Sequence, residues 1–303
     1  MNDLCIITWV YGRKYQGWIP LYLYSIKKNY PEYGVRILVE NALNPEIKSE
    51  LQRFGIYHQE EIIENCMPDI MKKSSDIEKR CWRWLVDAGK YAKGYKYIYI
   101  GDIDMFIVKE EPQLIKQHVM DIDKNNKVYS NAIRLKLLDY LIKKGNKTHL
   151  LRLTGLHFVK AETYFNRVRL AQKIVLSYLE AEVNVRWLDN LFFQDDERCL
   201  WLINFLAGLK EPKESYELDD NVFRPLHGVH FAVGREYQTY KQIMDGRKKK
   251  EHCTYFEEFK KEYNSDSRLR DVIWNSPIYI IDIIIKLCHF WENQIDEEGI
   301  STK

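Results

Sequence analysis

Apolar residues in the first hundred positions alternate between short continuous runs and stretches with helical spacing. Leu4 to Val10 is a run that ends at Tyr11-Gly12, and it predicts a buried strand followed by a loop. Trp18 to Lys28 carries apolar residues at helical spacing and closes on Lys27 and Lys28, which predicts a helix. Val35 to Val39 is a second strand and Pro45 to Phe54 a second helix. A third helix over Cys81 to Ala92 leads through Gly94 into YKYIYIGDIDMFIV, residues 95–108. Such alternation predicts an α/β fold with a mostly parallel, doubly wound sheet flanked by helices.

Further along, Leu151 to Val159 reads as a strand, Ala161 to Glu182 contains a helix, and Phe223 to Val233 reads as strand or loop. The polar, basic stretch DGRKKKEH, Asp245 to His252, predicts a boundary between a main domain over residues 1–245 and a helical extension over 246–303. In that tail, PIYIIDIIIKLCHFWEN (residues 277–293) places Asp282, Lys286, His289 and Asn293 on a narrow polar stripe. A helix with so little polar face needs extensive cover.

One segment carries chemistry. Asp102 and Asp104 interrupt the run of Tyr97, Ile98, Tyr99 and Ile100, where an unpaired carboxylate is costly to desolvate. Residues at i and i+2 of an extended segment point the same way, so the two carboxylates are expected to converge on one cation. Hard oxygen donors suit Mg²⁺ or Mn²⁺, which keep open positions for phosphate oxygens. Ligands in doubly wound sheets gather at the carboxyl ends of the strands, where this pair falls. A second pair, Asp121 and Asp123, follows no apolar strand. Lys124 to Lys127 read as a turn, and an EF-hand fails because Asn126 and Ala132 stand where Gly and Glu are needed. That pair is read as surface loop.

Composition adds boundaries. A hydrophobic content of 46% supports a sizeable core, and a formal charge of +2 gives no global electrostatic case for nucleic acid. The six cysteines are scattered without a CxxC pair, which excludes a zinc ribbon or disulfide framework of the usual spacing. No secretion signal and no run of membrane-spanning length is read. A reduced, cytoplasmic protein is expected.

The stretch YKYIYIGDIDMFIV resembles the strand and DxD motif of GT-A fold glycosyltransferases, and more distantly their family 8-like members. IITWVYGRKYQGWIPLYLYSIKKNYPEYGVRILV is similar to the family's first strand, donor loop, first helix and second strand. Arg83, in KRCWRWLVDAG, stands about where these enzymes carry an Arg near the donor, with Arg80 competing for the role. RLTGLHFVKAETY, with Gly155, resembles the segment that borders the donor sugar, and FFQDDERCLWLIN the acidic segment beneath the reacting sugar. FRPLHGVHFAVGRE holds His227 and His230 near the place of a late metal-binding His. Family 8 members carry a His-x-x-Gly-x-x-Lys-Pro-Trp string, and HFAVGRE here has no Lys-Pro-Trp, with Arg235 as the replacement for the lysine. Together the segments span roughly residues 1–235.

The resemblance implies a Rossmann-like catalytic domain that takes a nucleotide diphosphate-sugar, in the first instance a UDP-sugar, with Mn²⁺ or Mg²⁺. It implies metal ligation by Asp102, Asp104 and His230, and donor contacts from Thr8, Trp9, Tyr11, Arg83, Asp102, Gly155 and Arg235. Asp195 or Asp196 would be the general base if configuration inverts, and would orient the donor if it is retained. His157 and Lys160 are placed at the acceptor, a saccharide or lipid-linked glycan. Two other readings stay open: a sugar-phosphate nucleotidyltransferase, and a non-catalytic glycan- or lipid-binding scaffold of the same fold. For the tail, packing on the core competes with an interfacial anchor formed with Arg247 to Lys250. The anchor would hold the protein on the anionic inner face of a membrane.

Overall fold

A computed structural model describes residues 2–72, 74–131, 153–180, 195–210, 227–231 and 249–288. In chain order the elements are β1 (Asn2–Val10), α1 (Arg13–Gln16), α2 (Ile19–Asn29), β2 (Gly34–Val39), α3 (Pro45–Arg53), β3 (Ile62–Ile63), α4 (Asp69–Lys72), α5 (Asp76–Leu85), α6 (Ala88–Tyr91) and β4 (Tyr95–Gly101). Then follow β5 (Met105–Ile107), α7 (Leu114–Lys124), β6 (Tyr129–Ser130), β7 (His157–Lys160), α8 (Ala161–Glu180), α9 (Asp196–Leu206), β8 (Gly228–His230), α10 (Lys249–Ser265) and α11 (Ser267–Trp274). A final helix, α12, occupies residues 278–288.

Six strands form one sheet in the order β3-β2-β1-β4-β7-β6. β1 pairs in parallel with β2 and β4, and β2 with β3, while β7 runs antiparallel to both β4 and β6. The mostly parallel α/β sheet expected from the alternation is therefore present. Its order reverses at β1, since β2 lies on one side and β4 on the other. A crevice opens at such a switch point, at the carboxyl ends of the two strands.

The pleat of β1 divides the core. Leu4, Ile6 and Val10 join one hydrophobic cluster, with α2, α3 and the C-terminal helices. Cys5, Ile7 and Trp9 join the other, with α5, α8 and α9. Tyr97 and Tyr99 of β4 face the first cluster and Ile98 and Ile100 the second, the same period of two.

The third helix differs from its expected span. α5 begins at Asp76, where Ser75 and Glu78 form a reciprocal capping box, and stops before Val86, which is extended at φ −67° and ψ 136°. The chain then resumes as the short α6. β4 also ends sooner than expected, at Gly101, and Met105–Ile107 pairs with β8 in a separate two-stranded ribbon. Asp121 and Asp123 are not loop residues, because they lie in the last turn of α7; the turn comes after them, with Asn126 at φ 49°.

The C-terminal helices close over the first cluster. Phe259 of α10 meets Phe106 of β5 edge-on at 5.0 Å, and Asp266 accepts hydrogen bonds from Tyr24 and Lys28 of α2. In α12, Ile280, Ile281, Ile284 and Leu287 are buried while Ile278 and Ile285 face outward. Its described part thus packs on the core, as one of the two readings of the tail expects. Among the described residues no helix is long and apolar enough to cross a membrane.

Candidate active site

At the switch point lies a cavity of about 270 Å³, lined by Trp9, Tyr11 and Tyr15 from the β1 side, Arg80 and Arg83 of α5, Asp102, Ile103 and Asp104 after β4, Asp196 and Glu197 of α9, and His230 of β8. Each side arrives by a local rule. β1 and β4 deliver their ends because parallel strands share a carboxyl edge. α5 presents Arg80 and Arg83 one turn apart on the same face.

Arg83 organises the floor. Its Nη1 donates to Asp102 Oδ1 at 2.6 Å and its Nη2 pairs with Asp196 Oδ2. Burial opposes the charge on Arg83, but Asp196 and Asp102 outweigh it and hold the guanidinium above its usual range. A fork bound on both arms has a fixed orientation. Gly155 sits against it: a Cβ there would lie 2.8 Å from Arg83 Nη2. The Gly155 N–H donates to Glu197 Oε1 at 3.0 Å, so α9 also holds this turn.

Opposite Arg83, Asp104 and His230 meet at 3.2 Å, Oδ1 to Nε2. Their approach follows from the ribbon, in which Met105 faces His230 and the Phe231 N–H donates to the Asp104 carbonyl at 2.9 Å. Two carboxylates and an imidazole around one cavity are a donor set that suits Mn²⁺ or Mg²⁺. Among the described residues, no group of three or more His, Cys, Asp or Glu side chains stands in a metal-holding arrangement. Asp102 is paired with Arg83, and Ile103 and Asp104 form a turn before β5, so both carboxylates line the cavity from this one segment.

The aromatic wall is tethered. Trp9 Nε1 donates to the Lys79 carbonyl at 3.1 Å, and Tyr11 Oη to Asp76 Oδ1 at 2.5 Å. That bond pushes the Tyr11 phenol up to about 12.

Other expected residues lie elsewhere. Thr8 is fully buried and donates to the Gly101 carbonyl at 3.0 Å, joining β1 to β4 and not lining the cavity. Asp195 is the N-cap of α9, accepting from the Arg198 N–H at 2.8 Å. His157 is fully buried beside Trp84, Tyr129 and Tyr164, with Nδ1 2.9 Å from Asn131. Lys160 faces Tyr97, toward the amino end of β4, and binds Asp123 at 3.0 Å. Neither lines the cavity. Arg235, Arg247, Lys248, His289 and Asn293 lie outside the described residues. Arg80 is exposed, so the half-buried, doubly paired arginine is Arg83. Tyr15 and Glu197 were not singled out from the sequence. Glu197 had a legible signal, as the third acid of the DDE run that opens α9.

No family model and no curated protein matches the sequence. Solved structures do resemble it. The galactosyltransferase LgtC in complex with donor and acceptor sugar analogues is 15% identical, over 67% of this chain and 70% of that one, at a TM-score of 0.44. The mannosyltransferase Ktr4p from S. cerevisiae, in complex with GDP, is 13% identical over 71% and 68%, at 0.41. The apo glycosyltransferase GlyE of Streptococcus pneumoniae TIGR4 is 10% identical over 81% of this chain and 51% of that one, at 0.43.

Proposed function

We propose that this chain is a metal-dependent glycosyltransferase that moves a sugar from a nucleotide diphosphate-sugar, in the first instance a UDP-sugar, to a saccharide or lipid-linked glycan. The observation that carries this reading is the arginine fork of Arg83, held between Asp102 and Asp196 in a cavity that Asp104 and His230 also line. It brings into one crevice the cation, the carboxylates and the imidazole that the sequence resemblance assigns to donor binding.

The chemistry needs charge control. A nucleoside diphosphate leaves poorly unless its developing negative charge is neutralised. Asp104 and His230, with Asp102, would hold the divalent ion, which supplies Lewis-acid stabilisation of the departing diphosphate when bound. Arg83, across the cavity from Asp104 and His230, would add charge-assisted hydrogen bonds to the diphosphate. Trp9 and Tyr11 offer ring faces to the base or ribose.

Asp196, which lines the cavity, is the carboxylate assigned here to the reacting sugar. If configuration inverts, it takes the proton of the acceptor hydroxyl as oxygen attacks the anomeric carbon and the bond to the diphosphate breaks. Where configuration is retained, it orients the donor and faces oxocarbenium-like charge. Asp195 is reserved for the helix cap. Gly155 and Glu197 hold the turn that closes on Arg83.

Calorimetric titration of UDP and GDP, with and without Mn²⁺, tests the reading alongside Asp104→Asn. UDP binding that needs both Mn²⁺ and Asp104 is expected. A folded sample that binds neither nucleotide sinks the proposal and favours the non-catalytic scaffold, whereas pyrophosphate release from a nucleoside triphosphate and a sugar phosphate identifies the nucleotidyltransferase.

A further inference from the structure

Behind the cavity lies a buried polar chain that the proposed chemistry does not use. Ser130 Oγ stands 2.5 Å from Asp121 Oδ2 and 3.0 Å from His118 Nδ1. His118 Nε2 is 2.9 Å from His227 Nε2, and His227 Nδ1 is 2.7 Å from Glu110 Oε2. His118 and His227 are each only 2% exposed, so water does not substitute for these contacts.

Protons can be counted along it. Four contacts join Asp121 to Glu110, and each is a hydrogen bond only if it contains one proton. The Ser130 hydroxyl supplies one and each neutral imidazole one. Two ionised carboxylates supply none, so three protons must serve four contacts. The chain closes only when it holds one proton more, and an imidazole takes that proton more readily than a carboxylate.

The place of His227 gives the count a consequence. It precedes β8 at φ 54°, in the left-handed region, and its carbonyl accepts from the Val108 N–H at 3.1 Å. Gly228 follows at φ 156°, where a Cβ would lie 1.9 Å from the Phe106 carbonyl oxygen. β8 is thereby pressed on β5 at one end, while its other end presents His230 beside Asp104. We infer that His118 and His227 share an added proton between Asp121 and Glu110, and that this charged pair is a positioning device locking the β5–β8 ribbon in the register that brings His230 to Asp104.

Among the described residues, the titratable groups seen facing the pair are Asp121 of α7, acting through Ser130 of β6, Glu110 between β5 and α7, and Tyr99 of β4, whose ring is 5.8 Å from His118 and 5.6 Å from His227. Gln117 also donates to Glu110 Oε2 at 2.6 Å, and the hydroxyl of Tyr30, the C-cap of α2, accepts from the Glu110 N–H at 2.9 Å. Loss of the proton at alkaline pH opens one of the four contacts and loosens the ribbon.

The role of the ribbon rests on the proposed site, but the test uses neither nucleotide nor metal, so the two can fail separately. Long-range ¹H–¹⁵N spectra of the full chain at about pH 6 are expected to show one of these rings protonated on both nitrogens, becoming neutral by about pH 9. Over the same range, amide exchange of Met105–Ile107 and Gly228–His230, corrected for its intrinsic pH dependence, is expected to accelerate at least about tenfold. In Asp121→Asn the amide can donate to Ser130 Oγ while its oxygen still accepts from Asn125, supplying the fourth proton without charge, so the step should vanish. Two neutral rings throughout, or a step that persists in Asp121→Asn, overturns the inference.

Discussion

Arg83 concentrates more of the candidate site than any other side chain. Its guanidinium is bound on two arms by carboxylates from different parts of the chain, which a lysine ammonium, a single point charge, cannot reproduce. Arg83→Lys should keep the net charge of the cavity and still weaken Mn²⁺-dependent UDP binding by about 10–100-fold, the scale of a charge-assisted hydrogen bond lost. Calorimetry on the variant measures it, and unchanged affinity would remove Arg83 from the donor site. The sequence left Arg80 and Arg83 in competition because they sit one turn apart on one helix face. Only the position of α5 against Asp102 separates them.

At the level of elements, legibility followed length and period. β1, α2, β2 and α3 were readable because each carries its own alternation or helical spacing, and their spans differ from expectation by a residue or two. The two-residue strands β3 and β6 carry no period to read. The start of α5 was legible as Ser75 and Glu78, a capping box three residues apart, but the apolar pattern drew attention to Cys81 onward. The end of β4 was hidden because MFIV continues the apolar run past the aspartates, although the chain has already left the sheet. The paired histidines illustrate what no local pattern can supply, since 109 positions separate His118 from His227.

Asp195 poses an elemental question with a direct answer. As N-cap of α9 it satisfies the Arg198 N–H, so Asp195→Ala should lower stability by about 1 kcal/mol, while Asp195→Asn, an equally good cap, should cost little. Urea denaturation measures both. If Asp195→Ala retains full stability yet abolishes sugar transfer, the cap assignment fails and Asp195 returns as a candidate base.

For the whole molecule, the joint between its C-terminal helices and its first helical layer is electrostatic as well as apolar. Asp266 caps α11 and is bound by Tyr24 and Lys28 of α2. Burial would raise its pKa, but the hydrogen bonds from Lys28 and Tyr24 outweigh burial and bring it from 3.8 down to about 2. A depressed carboxylate contributes stability above its unfolded value that is lost as pH falls through its folded one. Melting temperature should therefore drop between 3.8 and about 2. Asp266→Asn should be less stable than the parent at neutral pH and converge with it at the acid end. Parallel curves for the two proteins would show that the joint does not depend on that charge.

Beside that joint, Tyr279 donates its hydroxyl to the Lys14 carbonyl, and Gly17 lies so close to the Tyr279 hydroxyl that a Cβ would not fit. Lys14 belongs to α1, the short helix whose Tyr15 lines the cavity. During synthesis the β1 edge of the crevice emerges early, yet the residue that braces it is translated 265 positions later. At about 5–20 residues per second that interval is on the order of tens of seconds. A ribosome-bound nascent chain thus exposes the crevice edge unbraced throughout that interval.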